Sequence, residues 1–132
     1  MRINYCVVFC VSLLTLISIS ATSVNAFPQF NGGFKKLYLN DDSPDEFKNA
    51  VKEAKCAVCH DESKKKDDGK PNRKFRNPYG EALDKLLSKD DKKDKEKIRE
   101  ALENVEKEKL PDSDVTFGAR LKAHKLPFVP DE

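Results

Sequence analysis

The stretch Cys56-Ala57-Val58-Cys59-His60 constrains this chain more than any other. Two thiols three positions apart, with an imidazole directly after the second, is the spacing that attaches haem covalently. Each thiol can add across one vinyl group of the porphyrin to give a thioether. His60 then follows closely enough to serve as the proximal ligand of the iron. If the stretch does this, the remaining elements must pack around a group that no side chain could replace.

That reading depends on compartment, so the N-terminus matters next. Arg2 supplies a positive charge, and residues 5–19 form an apolar run interrupted by Ser12, Thr15 and Ser18. Val24-Asn25-Ala26 then offers small residues for cleavage after Ala26. Fifteen residues of helix span only ~22 Å, short of the ~30 Å hydrocarbon core, which favours a removable leader over a retained anchor. The expected organisation is therefore a leader at residues 1–26 and one domain at residues 27–132. Export would place that domain in the periplasm or otherwise outside the cytoplasm, with no stable membrane span.

Cleavage would simplify the chemistry. Cys6 and Cys10 would leave with the leader, so the two remaining cysteines both belong to the motif. The single methionine is Met1, so no methionine would remain to ligate iron. Arg2 would leave too, and 24 basic would face 23 acidic residues. That balance argues against a nucleic-acid binder. With 36% charged residues and a mean hydropathy of −0.70, the chain has little apolar surface to bury for its size. A buried haem would supply the missing core.

Along the chain, residues 27–42 read as a mixed lead-in with a turn at Asn31-Gly32-Gly33. Ser43-Pro44-Asp45-Glu46 carries the marks of a helix start, with Ser43 as cap, Pro44 first and Glu46 closing a capping box. Phe47, Ala50, Val51, Ala54 and Val58 recur at helical spacing, so this helix is expected to carry the motif at its end with Cys56 and Cys59 on one face. A polar loop with a turn at Gly69-Lys70-Pro71-Asn72 follows. Asn77 and Pro78 start a second helix, with a stripe of Ala82, Leu83, Leu86 and Leu87. Tyr79 is expected in the core, with stacking near a porphyrin as the alternative. A third helix runs to about Lys109 on Ile98, Ala101, Leu102 and Val105, and a short fourth is capped near Asp114 with Phe117 and Leu121 on one side. Gly118 there would allow close approach to a flat ring. No alternating strand pattern is present. The expected fold class is all-α, a single small domain of about four helices.

Other chemistries fit the motif less well. A thioredoxin-like dithiol needs a preceding strand, and none is expected. Zinc needs four ligands, and Cys56, Cys59, His60 and His124 have an awkward spacing for a tetrahedral site. A structural disulfide would leave His60 unexplained. Among the residues after the leader, His124 is the only other imidazole and becomes the candidate distal iron ligand. Its alternative is a solvent-facing side chain between Lys122 and Lys125, with a lysine or water at the iron. The basic loop at residues 64–76, with Lys64, Lys65, Lys66, Lys70, Arg73, Lys74 and Arg76, is either a solvated loop or a docking patch for a redox partner protein. Arg and Lys side chains there could equally pair with haem propionates.

The motif, with Arg76-Asn77-Pro78-Tyr79-Gly80-Glu81-Ala82-Leu83 and Phe117-Gly118-Ala119-Arg120-Leu121-Lys122-Ala123, resembles small exported single-haem c-type cytochromes. It is similar in particular to short cytochrome-like proteins of planctomycete-type bacteria. The resemblance implies a cytochrome c-like domain holding one covalent haem c with its iron through Cys56, Cys59 and His60. The missing distal methionine departs from the ordinary carriers of that class. The expected function is one-electron transfer without turnover of its own. A haem-based sensor with an open sixth position, or a haem-free charged interaction module, stands as the alternative.

Overall fold

The computed structural model describes residues 28–129. The expected leader lies outside the described residues. Five helices make up the domain: α1 Pro28–Tyr38, α2 Asp45–Ala54, α3 Pro78–Asp84, α4 Lys95–Val105 and α5 Phe117–Lys122. Two 3₁₀ turns, Lys55–Val58 and Lys89–Lys93, join them. Among the described residues there are no strands, only isolated bridges such as His60 with Arg76. No described helix is long and apolar enough to cross a membrane.

The all-α expectation holds, with one helix more than the pattern suggested. The addition is α1, which runs through the glycine pair expected to form a turn. Phe30, Phe34, Leu37 and Tyr38 fall on one side of it, and Phe34 is buried in the core. A helical glycine costs about 1 kcal/mol against alanine. At Gly33 that cost is offset by packing, because α4 crosses there: a Cβ would lie 2.6 Å from Ile98 Cγ2. Gly32 faces open space. Only the crossing distinguishes the two, and a one-dimensional pattern cannot see it.

Helix α4 buries the expected stripe of Ile98, Ala101, Leu102 and Val105. Asp94 caps it, accepting from the Lys97 amide at 3.0 Å. It ends at Val105, not near Lys109. The carbonyls beyond it are taken by α5: the Phe117 amide donates to Glu108 O and the Gly118 amide to Glu106 O, both at 3.0 Å. Gly118 thus packs on Glu106 and not on a ring face. Thr116 caps α5 by accepting from the Ala119 amide, while Asp114 pairs with Lys109 at 2.7 Å. Leu86 also departs from expectation: it is exposed, while Ala82, Leu83 and Leu87 of the expected stripe are buried together with Tyr79. The C-terminal segment returns to the core. Arg120 Nε donates to Leu126 O at 2.8 Å, and Pro127 is buried.

At α2 the expected capping box does not form. The Ser43 hydroxyl donates toward Tyr38 O and Asn40 Oδ1 and accepts from the Asn40 amide, closing the preceding turn. Pro44 occupies the cap position without a side-chain bond.

Two neighbouring substitutions separate propensity from packing. Gly32→Ala should stabilise the protein by about 0.5–1 kcal/mol, whereas Gly33→Ala should destabilise it by about 1–3 kcal/mol through overpacking against Ile98. Urea unfolding of both variants checks this; a stabilised Gly33→Ala protein would mean that the two helices do not cross at this distance.

Candidate functional site

The motif does not continue α2. Lys55 takes a positive φ of 47°, which stops the helix after Ala54. The next four residues form a 3₁₀ turn, with the Cys59 and His60 amides both donating to Cys56 O at 3.2 and 2.9 Å. The expected helical seat is corrected: Cys56 lies within the 3₁₀ turn Lys55–Val58, and Cys59 is the residue that ends it, at φ −123°. Both are free thiols.

That turn is pinned by residues that lie 15–21 positions later. Asn77 caps α3 as expected, its Oδ1 accepting from the Gly80 amide at 2.9 Å. Its Nδ2 also donates to Ala57 O at 2.8 Å and to Val58 O at 3.1 Å. The one buried amide therefore starts a helix and ties it to the motif. Gly80, one turn on, lies against the Cys59 backbone; a Cβ there would run into the Cys59 carbonyl oxygen. No side chain fits between α3 and the motif at that point.

His60 is 9% exposed and its Nδ1 lies 3.2 Å from Phe75 O. A carbonyl oxygen can only accept, so Nδ1 carries the hydrogen and the neutral ring keeps its lone pair on Nε2. Burial holds the His60 pKa below its usual value; the Phe75 bond opposes this, and Arg76 and Arg73 reinforce it. Burial also pushes the Cys59 thiol up to about 12, against a lesser pull from Arg76. The site therefore holds a neutral imidazole beside a protonated thiol, which is the opposite of what an acidic, nucleophilic redox cysteine requires.

Both thiols and His60 line one cavity of about 690 Å³. Its volume falls within the ~300–1,000 Å³ range of small-molecule and cofactor sites. Phe30 and Phe34 of α1 form one apolar wall, and Leu83 and Leu87 another. Five cations, Lys35, Lys55, Arg73, Arg76 and Lys89, also line it, against one carboxylate, Asp84. Arg76 and Asp84 pair at 2.7 Å.

The remaining candidates separate. His124 is exposed at the end of α5 with φ 54°, its ring edge-on to Phe47 at 5.8 Å, and it is not among the residues lining the cavity. Among the described residues no three His, Cys, Asp or Glu side chains are grouped to hold a metal ion, so the zinc arrangement finds no support. Of the basic loop, Arg73 and Arg76 reach the cavity, while Lys64, Lys65, Lys66, Lys70 and Lys74 are exposed. Tyr79 is fully buried in the core. Sequence reasoning missed the second role of Asn77, the Phe75 carbonyl and the α1 wall. The Asn-Pro helix start marked the first of these positions, but nothing local marked where its free amide points.

Asn77→Ala should lower stability by about 2–4 kcal/mol, from a lost cap and two carbonyls, one buried and one partly buried, that lose this donor. Asn77→Asp keeps the capping oxygen but brings a carboxylate to those carbonyls, and should recover little of the loss. Denaturant melts of the two variants decide between the roles: recovery by Asp would mean that capping is the whole contribution.

No protein-family model matches the chain, no curated protein matches it, and no solved structure matches it.

Proposed function

We propose that the domain is an exported monohaem c-type cytochrome working as a one-electron carrier. One observation carries the reading: His60, its Nδ1 engaged by a backbone carbonyl, lines a cofactor-sized cavity that Cys56 and Cys59 also line. Iron-ligating histidines are oriented in this way, the second nitrogen fixing tautomer and ring angle. The residues present fit the group. Cys56 and Cys59 would hold it through thioethers, and His60 Nε2 would ligate its iron. Phe30, Phe34, Leu83 and Leu87 would cover its faces and exclude water. The excess of cations at the cavity would accept its two carboxylates. When bound, the haem supplies the reversible ferric–ferrous couple, and the chain contributes orientation, exclusion of solvent and the axial ligand. Exposed lysines of the loop at residues 64–76 offer a surface for a redox partner.

A second reading has a specific observation behind it. His124 stands outside the cavity lining, so an iron held by His60 would have a sixth position open to a small ligand or a lysine. The protein would then be a sensor or binder of a small diatomic molecule.

A pyridine haemochrome assay on protein exported from its own host tests the first requirement, with a c-type product expected and its absence ending both haem readings. A ferrous spectrum unchanged by carbon monoxide supports the carrier; a large shift favours the open site. His124→Ala should leave the spin state unchanged if His124 stays outside the site, and conversion to high spin would reinstate it as the distal ligand. Cys56→Ser/Cys59→Ser protein should be largely unfolded, because the apolar walls of the cavity lose their cover; well-dispersed amide NMR signals from it would contradict that expectation.

A further inference from the structure

We propose that Asn31 is a positioning residue for the motif: its side-chain amide holds the strained Lys55 peptide that turns Cys56, Cys59 and His60 off the axis of α2. The proposal rests on the haem reading. It starts from a backbone conformation that nothing local demands. Lysine is a good helix former, and no glycine or proline lies between Asp45 and His60. The spacing of Phe47, Val51, Ala54 and Val58 would carry α2 through the motif. The helix nevertheless stops at Lys55, at φ 47° and ψ −107°. That lies outside the left-handed helical region, near ψ +47°, that side chains occasionally enter. Its mirror image is ordinary extended backbone, so glycine adopts it freely and a residue with a Cβ does not. Such strain persists only where the surroundings over-determine it.

Lys55 is held on both sides. Its amide donates to Val51 O and completes the last turn of α2. Its carbonyl accepts from Asn31 Nδ2 at 3.0 Å, a side chain of α1 that stands 24 positions earlier. The Cys59 amide, which a continuing α-helix would turn to Lys55 O, bonds Cys56 O instead. The Asn31 amide can face Lys55 in one sense only. A carbonyl oxygen accepts and never donates, so Nδ2 must point at it. Oδ1 is then buried, with no partner among the described residues. An unpartnered buried acceptor is costly, and a side chain kept for packing alone need not carry one. The donor is what this position uses.

The bond also joins two parts of the cavity. Asn31 lines it with Phe30, Phe34 and Lys35, so the α1 wall is tied directly to the residue before Cys56. The motif thereby has three anchors. Asn31 holds its start, Asn77 holds its middle through Ala57 O and Val58 O, and Phe75 O holds the His60 ring at its end. Only the first of these acts on a strained residue. When it is lost, Lys55 can return to an unstrained backbone, and the turn that carries His60 moves with it. Contacts one shell out from an iron ligand set its orientation in this manner.

The test uses the holoprotein, with its haem verified by pyridine haemochrome. In the ferric protein the proton NMR shifts of the haem methyl groups report the orientation of the axial imidazole. Asn31→Ala should move them; alanine suits α1 better than asparagine does, so the variant should fold. Lys55→Gly removes the strain, and its turn should hold without the Asn31 bond. The methyl shifts of Lys55→Gly and of Asn31→Ala/Lys55→Gly should therefore coincide. Thermal melts report the structural part separately, since a residue that only stabilises α1 would change Tm and leave the methyl shifts in place. Haem present with unchanged shifts in Asn31→Ala overturns the proposal alone. An equal displacement by Asn31→Ala in the Lys55 and Gly backgrounds overturns the route through the strained peptide. Absence of haem overturns the proposal together with the function on which it rests.

Discussion

The carbonyl of Phe75 accepts from two sides, from the Asp61 amide at 3.2 Å and from the His60 ring. Beside it the Asn77 amide donates to Cys59 O at 3.2 Å. Together these bonds close the base of a long charged loop whose own residues bury almost nothing. Without them the motif would be the fraying end of α2, since Lys55 has already broken that helix. With them, two thiols and one imidazole are held to a fixed wall while the intervening charges remain in water. Backbone groups that must find partners anyway are used here to orient a side chain.

The same closure explains how a chain with this little apolar content supports a cavity at all. Its buried residues divide between a core, where α4 meets α1 and α3, and a shell around the cavity. Phe34 belongs to both, meeting Tyr38 and Tyr79 on one side and the cavity on the other. Gly33 and Gly80 act as complements to that division. One lets α1 reach α4, and the other lets α3 reach the motif, so each removes a side chain where backbone proximity matters more than volume.

What could be read from the sequence was local. The Asn77-Pro78 start of α3 and the stripe of α4 follow from spacing within one turn or one element, whereas the turn expected at Gly69-Lys70-Pro71-Asn72 falls earlier, with the Gly69 amide donating to Lys66 O at 2.9 Å. What could not be read was set by competition between groups for the same residue. Ser43 could cap α2, but its hydroxyl is engaged by Asn40 and Tyr38 instead. Gly32-Gly33 could turn, but Gly33 is worth more at a helix crossing. Asp114 could cap α5, but Lys109 holds it and Thr116 takes the position. In each case the sequence offers two uses for one residue; for Ser43 and Asp114 the competing partner lies only three to five positions away, and only at Gly33 does it come from another helix.

Arg76 shows how far one residue can be committed by such choices. Its backbone pairs with His60, and its guanidinium bonds the Asp84 carboxylate while standing at the cavity with Arg73. A cation in that place lowers the pKa of His60 and of the Cys59 thiol alike. For His60 this reinforces burial and favours the neutral form of the ring. For Cys59 it only partly offsets desolvation, so the thiol stays protonated. Asp84 withdraws part of the Arg76 charge from the cavity. An anionic cofactor edge would therefore compete with Asp84 for Arg76, and the loop that ends at Arg76 would feel that competition through the same strand of backbone that holds His60. The charge at the mouth and the orientation of the imidazole are thus mechanically one feature of this fold.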